Sequence, residues 1–301
     1  MRNKFFVLIT EAVVLNLIVL FFIHKLSANS TLVFACVFIL IMGAIAIQGY
    51  FQIVEPYSKK LIEANKVAED SKNAEIIRSE FVANVSHELK TPLTSISGFI
   101  ETLQAGAAED PEIRTKFIDI IAIETSRLKR LIEDLLVLSD IENKRVSDCA
   151  EFDIKMVLEN TVYALRPIAD EKNITIVENI EDGCLVTGSA DRFSQMMVNL
   201  IENAIKYSEP EKSVWVDAHK KDGHIIVSIK DEGIGIAEEH HERLFERFYR
   251  VDKSRSQKAG GTGLGLSIVK HIAALLGAKL DVKSKVGEGT TFYVVFEDRE
   301  K

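Results

Sequence analysis

Cysteine is scarce: Cys36, Cys149 and Cys184 are the only three in 301 residues, odd in number and far apart. That spacing builds neither a disulfide framework nor a set of metal ligands. The soluble part of the chain is therefore expected to work in a reducing cytoplasm. Basic residues are in deficit, 37 Lys and Arg against 45 Asp and Glu, for a net charge of -8. Nucleic-acid backbones call for clustered Lys and Arg, so no nucleic-acid partner is expected. No Gly-x-x-x-x-Gly-Lys-Ser/Thr sequence occurs, which excludes a P-loop as the source of any nucleotide binding. Charge is missing altogether from residues 31–54.

That uncharged stretch has a companion. Residues 5–23 are apolar apart from Thr10, Glu11 and Asn16, and fifteen of them are Leu, Ile, Phe or Val. On an insertion scale those fifteen contribute roughly -4 to -9 kcal/mol, against about +3 kcal/mol for one central acid. Each stretch is long enough for a hydrocarbon core of about 30 Å. A cleaved signal peptide would have a shorter apolar region and a small-residue cleavage site, so two spanning helices in contact with membrane lipid are expected. The loop between them, residues 24–30, is too short to fold as a domain. Arg2 and Lys4 before the first span, and Lys59 and Lys60 after the second, place both ends in the cytoplasm, with Lys25 a minor opposing charge.

Residues 57–80 are rich in Lys, Glu and Ala without Gly or Pro, and predict a continuous helix. Val67, Ala74, Ile77 and Phe81 fall near a heptad seam that Asp70 interrupts. The helix continues through Val85, Leu89, Leu93, Ile96, Ile100 and Leu103, which recur every three or four positions. His87 lies about 200° from Val85 and from Leu89, pointing away from that stripe, with Glu88 beside it. Pro92 is expected to kink the helix. Taken alone, such a histidine is more often a solvated surface residue or a satisfied core one. Asp110 and Pro111 read as the N-cap and first residue of a second helix reaching about Asn143. Its Ile121, Leu128, Leu131, Leu135 and Leu138 form an apolar seam, and two such hairpins paired would close a four-helix bundle.

From Phe152 onward strands and helices alternate. Residues 212–220 and 225–230 read as a hairpin about Asp222-Gly223, 264–276 as an apolar helix, and 279–283 and 290–296 as strands. A mixed sheet covered on one face by helices is expected. Four segments stand out. Asn199 and Asn203, four apart in Asn199-Leu-Ile-Glu-Asn203-Ala-Ile-Lys206-Tyr207, share a helix face; solvated amides would look the same. Asp231-Glu-Gly233-Ile-Gly235 follows a strand and could be an ordinary turn. Phe245-Glu-Arg-Phe248-Tyr-Arg250 could be packing alone. Gly261-Thr262-Gly263-Leu264-Gly265 opens a helix, whose free amides attract phosphate. A dinucleotide fingerprint would need a preceding strand, whereas residues 253–259 are polar and read as a lid.

With these residues together, the chain resembles bacterial membrane-bound sensor histidine kinases of the His-Glu-Leu-Lys-Thr-Pro-Leu class, over about residues 78–297. Within that class it is similar to phosphate-regulon and cell-wall-type kinases with a short-loop, intramembrane-sensing layout. The resemblance implies a multidomain fold. Residues 1–54 are a transmembrane hairpin, 55–77 a connecting helix, 78–146 a dimeric helical hairpin that accepts phosphate, and 147–301 an α/β sandwich binding ATP, as in gyrase- and Hsp90-type ATPases. It implies His87 as phosphoacceptor, Glu88 as the group orienting its proton, and Thr91 as the residue orienting water for dephosphorylation of a regulator. Arg250 belongs near the terminal phosphate. Asn203 is implied as the Mg2+ ligand, with Asn199, Lys206, Tyr207, Asp231, Gly233, Gly235, Gly261, Thr262, Gly263, Leu264 and Gly265 around ATP. The implied partners are a second copy of the chain and a cognate response regulator; the implied location is the bacterial inner membrane.

Two other classes fit parts of the pattern. A gyrase- or Hsp90-type ATPase would leave the helix around His87 unexplained, and a receptor that binds a regulator without ATP would leave the glycine and asparagine segments unexplained. For the stimulus, Glu11 and Asn16 are costly inside a bilayer unless they meet a partner. That partner is either a second membrane protein supplying the signal or the other copy of this chain.

Overall fold

The computed structural model describes residues 55–143, 150–252 and 261–297, with scattered positions between 10 and 51. Residues 1–80 and 81–301 form two compact units. In the first, about half of the two stretches expected to span a membrane lies outside the described residues, Glu11 and Asn16 included. Among the described residues no helix is long and apolar enough to cross a membrane. The described positions there are largely helical and mostly exposed, with Phe21 70% and Leu40 73% exposed. The lid segment 253–259 and Cys36 and Cys149 also lie outside the described residues.

Helix α1 (Glu55–Gln104) runs through Pro92 as one helix of 50 residues. Pro92 is buried, and its missing N–H leaves the Glu88 carbonyl without its usual partner. Helix α2 (Pro111–Asn143) starts where the Asp-Pro pair predicts: Asp110 Oδ1 accepts from the amides of Glu112 at 2.9 Å and Ile113 at 3.2 Å. Phe99 of α1 meets Phe117 of α2 with ring centroids 4.9 Å apart. Part of the expected seam is buried, with Leu131 and Leu138 at 3% and 1% exposure, yet Leu93, Ile118, Ile132 and Leu136 remain exposed.

The rest of the second unit follows in the order β1 (Ala150–Asp153), α3 (Ile154–Glu171), β2 (Thr175–Ile180), β3 (Leu185–Gly188), α4 (Ala190–Tyr207), β4 (Ser213–Lys221) and β5 (His224–Asp231). Helix α5 (Gly265–Leu275), β6 (Lys279–Lys285) and β7 (Gly289–Glu297) complete it. Strands β1 and β3 pair antiparallel, and the main sheet has the order β2-β4-β5-β7-β6. Only β2 and β4 run parallel, so the sheet is mixed, as expected. The β4–β5 turn at Asp222-Gly223 has positive φ at both residues, 52° and 75°, the twist a two-residue hairpin needs.

Alternation along the strands makes the sheet one-sided. Val216, Ile229, Phe292 and Val282 are successive cross-strand partners, as are Ala218, Val227, Val294 and Leu280. These rows face the helices. On the other side Lys230 lies 4.9 Å from the ring centre of Trp215 and Lys283 5.4 Å from that of Tyr293. Helix α4 buries Phe193, Met196, Met197, Leu200, Ile201, Ala204 and Ile205, the three-and-four spacing of a single apolar stripe. Leu131, Leu138 and Ile141 of α2 join the same core, so the hairpin packs directly on the α/β domain.

Candidate active site

The stripe that buries α4 dictates what its opposite face can show. Asn199, Asn203 and Lys206 fall at i, i+4 and i+7 and are half-buried. Asn199 donates Nδ2 to the Gln195 carbonyl at 3.2 Å, and its Oδ1 lies 3.1 Å from where a Cβ on Gly265 would stand. That contact keeps the start of α5 close to α4. The Asn203 amide has no side-chain hydrogen bond among the described residues, so its oxygen is uncommitted. Lys206 is pushed down to about 8, first by burial and then by repulsion from Arg130 and Arg250. It remains mostly protonated at neutral pH, and the three cations together favour an anionic ligand.

Asp231 ends β5 beside the C-terminus of α4. Its Oδ1 accepts from the amides of Gly233 at 2.8 Å and Thr290 at 3.2 Å. Burial raises its carboxyl to about 6, with those two amides pulling the other way. Above that value it is a charged acceptor held in place. Gly233 is demanded by contact, since a Cβ there would lie 2.5 Å from the Tyr207 carbonyl. Gly235 has φ +65°, and its Cβ would lie 1.9 Å from the Lys285 carbonyl. Tyr207 thus contributes its backbone to the loop, whereas its ring lies beside Lys206.

At the start of α5 the chain turns through Gly263, φ +77°, packed on the Phe248 backbone. Thr262 Oγ1 accepts from the Leu264 amide at 3.2 Å. The amides of Gly265 and Leu266 are left without partners among the described residues, as at any helix start. The Leu264 side chain is fully buried. Any contact that Leu264 makes in the glycine loop is therefore left to its backbone.

His87 is exposed, and its ring has no hydrogen bond among the described residues. Thr91 Oγ1 donates to the His87 carbonyl at 3.1 Å. Glu88, expected to serve the imidazole, is engaged elsewhere. Its Oε2 accepts from Arg127 Nη2 at 3.1 Å and from Arg250 Nη2 at 2.8 Å. The same Arg250 nitrogen donates to the Thr262 carbonyl at 2.8 Å, and Thr262 Oγ1 donates to Asp134 Oδ2 at 2.6 Å. Arg250, expected near a terminal phosphate, here links the glycine loop to the residue after His87. Phe248 stacks near Phe81 of α1, ring centres 6.0 Å apart. The structure thus joins the histidine helix, the Phe245–Arg250 segment and the glycine loop through direct contacts.

Arg127, Arg130 and Asp134 are members of this cluster that the motifs do not mark. One signal was available: Glu124 and Arg127 bring charge onto the side of α2 that carries Leu128 and Leu131.

Residues 77–144 match the His Kinase A (phospho-acceptor) domain, and residues 188–300 match the family of histidine kinase-, DNA gyrase B- and HSP90-like ATPases. The chain belongs to the histidine kinase family. The sensor-like histidine kinase SenX3 of Mycolicibacterium smegmatis is 40% identical over 219 residues, 72% of this chain and 57% of that protein. Histidine kinase AdeS of Acinetobacter baumannii superposes with a TM-score of 0.56 at 26% identity, covering 71% of this chain and 98% of that one. Histidine kinase ThkA, solved in complex with the response regulator protein TrrA, gives 0.61 at 26% identity over 73% and 61% of the two chains. This family member spans about half the length of the curated relatives it matches. Its phospho-acceptor domain contains His87, and its ATPase domain contains all four segments around Asn203, Asp231, Arg250 and Gly263.

Proposed function

We propose that the chain is an ATP-dependent protein-histidine kinase that phosphorylates itself on His87 and passes the phosphoryl group to an aspartate of a response regulator. The observation that carries this reading is the bond from Arg250 to Glu88, because it brings the glycine loop to the residue adjoining an exposed histidine. Incubation with γ-labelled ATP tests it. The label should be acid-labile and base-stable, as an N–P bond is; an acid-stable label, or release of phosphate alone, would refute it.

The roles follow from the side chains. An imidazole nitrogen of His87 attacks the γ-phosphorus; an N–P bond forms as the bridging P–O bond breaks and its electron pair leaves with ADP. The proton on the other ring nitrogen passes to Glu88 and on to solvent. Asp231 accepts from the adenine amino group, Gly233 and Gly235 let the backbone approach the base, and the free amides at the start of α5 receive phosphate oxygens. Lys206, Tyr207 and Asn199 border the same space, and Arg250 meets developing negative charge. Among the described residues no group of three or more acidic, His or Cys side chains could hold a metal. The uncommitted amide of Asn203 nevertheless suits Mg2+, a hard cation content with one protein oxygen plus water and phosphate. Bound there, the ion would neutralise phosphate charge.

The exposed Leu93, Ile118, Ile132 and Leu136 support a homodimer through a four-helix bundle. Thr91, one turn after His87, is proposed to orient the water that removes phosphate from the regulator. Thr91→Ala should slow that dephosphorylation about tenfold, equivalent to about 1.4 kcal/mol, with autophosphorylation little changed. Equal loss of both activities would instead implicate damage to α1 near Pro92.

The two apolar stretches support a transmembrane hairpin in the bacterial inner membrane, ends inside. A seven-residue loop is too small to form a pocket of several hundred cubic ångströms, so the stimulus is proposed to arrive within the bilayer. Replacing residues 24–30 by a Gly/Ser loop should preserve stimulus-dependent phosphorylation, and Glu11→Leu should weaken it. The reverse pattern would place detection outside the membrane.

A further inference from the structure

Arg127 is an expensive residue in its position. Its side chain is only 7% exposed, and its Nη1 is buried without a hydrogen-bond partner. The nearest acid to that nitrogen, Glu124, stands at 3.7 Å, beyond hydrogen-bond reach, and its own Oε2 is likewise orphaned. An apolar side chain of similar size would hold two helices together as well or better, because buried ion pairs seldom repay their desolvation. What an apolar side chain could not supply is the 3.1 Å bond from Nη2 to Glu88 Oε2.

Two arginines share that one carboxylate oxygen, and they differ in how they are anchored. Arg250 ends the Phe245–Arg250 segment and already divides Nη2 between Glu88 and the Thr262 carbonyl. Arg127 projects from α2, one turn before Leu131, which is buried in the core of the α/β domain. Glu88 Oε1 has no partner among the described residues. With Oε2 tied down, Oε1 is the oxygen left to take a proton.

We propose that Arg127 is a positioning residue for phosphoryl transfer. It keeps the Glu88 carboxylate fixed beside His87, Oε1 outward, while Arg250 leaves it to engage the nucleotide. This inference rests on the kinase reading above.

The test is a double-mutant cycle in the full chain. Arg127→Met should slow autophosphorylation at saturating ATP by about tenfold to a hundredfold, the cost of displacing a reacting group by about an ångström. Affinity for a fluorescent ATP analogue should stay within about twofold, since the binding side chains are untouched. Arg127→Lys, which can reach one oxygen but cannot fork, should recover part of the rate. In a Glu88→Gln background, followed over longer times, Arg127→Met should cause no further loss, because two residues that act as a unit are not additive. A normal rate in Arg127→Met would overturn the proposal. So would the same fold-loss in both backgrounds, the mark of a structural role. Where Arg127→Met does not fold, the Arg127→Lys cycle is read by the same criterion. A wild-type chain that never acquires acid-labile label would overturn the kinase reading, and the positioning role with it.

Discussion

His87→Gln should abolish acid-labile labelling while leaving ATP binding at the wild-type level. The reason is local. His87 is exposed on α1 and its ring makes no hydrogen bond among the described residues, so a Gln of similar polarity costs the fold little; surface changes of this kind stay within about 0.5 kcal/mol. Gln lacks the ring nitrogen whose lone pair would attack phosphorus. Asp231, Asn203 and the glycine loop are all contributed by other elements, so the nucleotide should bind unchanged. The measurement is paired: label retained after base treatment, and titration with a fluorescent ATP analogue. Label that persists on the variant would mean that another residue is the acceptor.

Asn203→Ala should give the complementary result. Alanine is the best helix former, and Asn203 makes no side-chain bond that α4 would miss, so the variant should fold. What disappears is the uncommitted amide oxygen of Asn203, on the face shared with Asn199 and Lys206. We expect Mg2+-dependent ATP affinity to fall by tenfold or more, about 1.4 kcal/mol, and autophosphorylation to fall with it. Nucleotide titrations with and without Mg2+ separate the effects. A variant that keeps normal Mg2+-dependent affinity would move the metal to another residue.

Much of the fold was legible because the patterns involved are local. The Asp222-Gly223 pair announces its hairpin through the positive φ that only a few residues tolerate, and Asp110-Pro111 announces α2 through an acid placed to meet free amides. Short elements such as β1 and β3 were not separated from their surroundings, since a four-residue strand carries too little alternation to register. The site divides in the same way. Asp231, Gly233 and Gly235 lie within five residues and can be read as one motif. The bond from Arg250 to Glu88 spans 162 positions, and no period or spacing encodes it. Glu88 was expected to serve the imidazole, and nothing local announces that its Oε2 also meets two arginines. Leu264 is a different case: a residue inside a glycine motif can serve it through the backbone and send its side chain into the core.

The one-sided sheet has a practical consequence. Trp215 is the sole tryptophan of the chain, and it lies on the open face of β4 beneath Lys230. All indole emission therefore originates from the α/β domain, in a solvent-touched setting beside a cation. Indole fluorescence reports on that domain and not directly on residues 1–143. The protein thus carries its own optical separation of the nucleotide module from the segments that precede it.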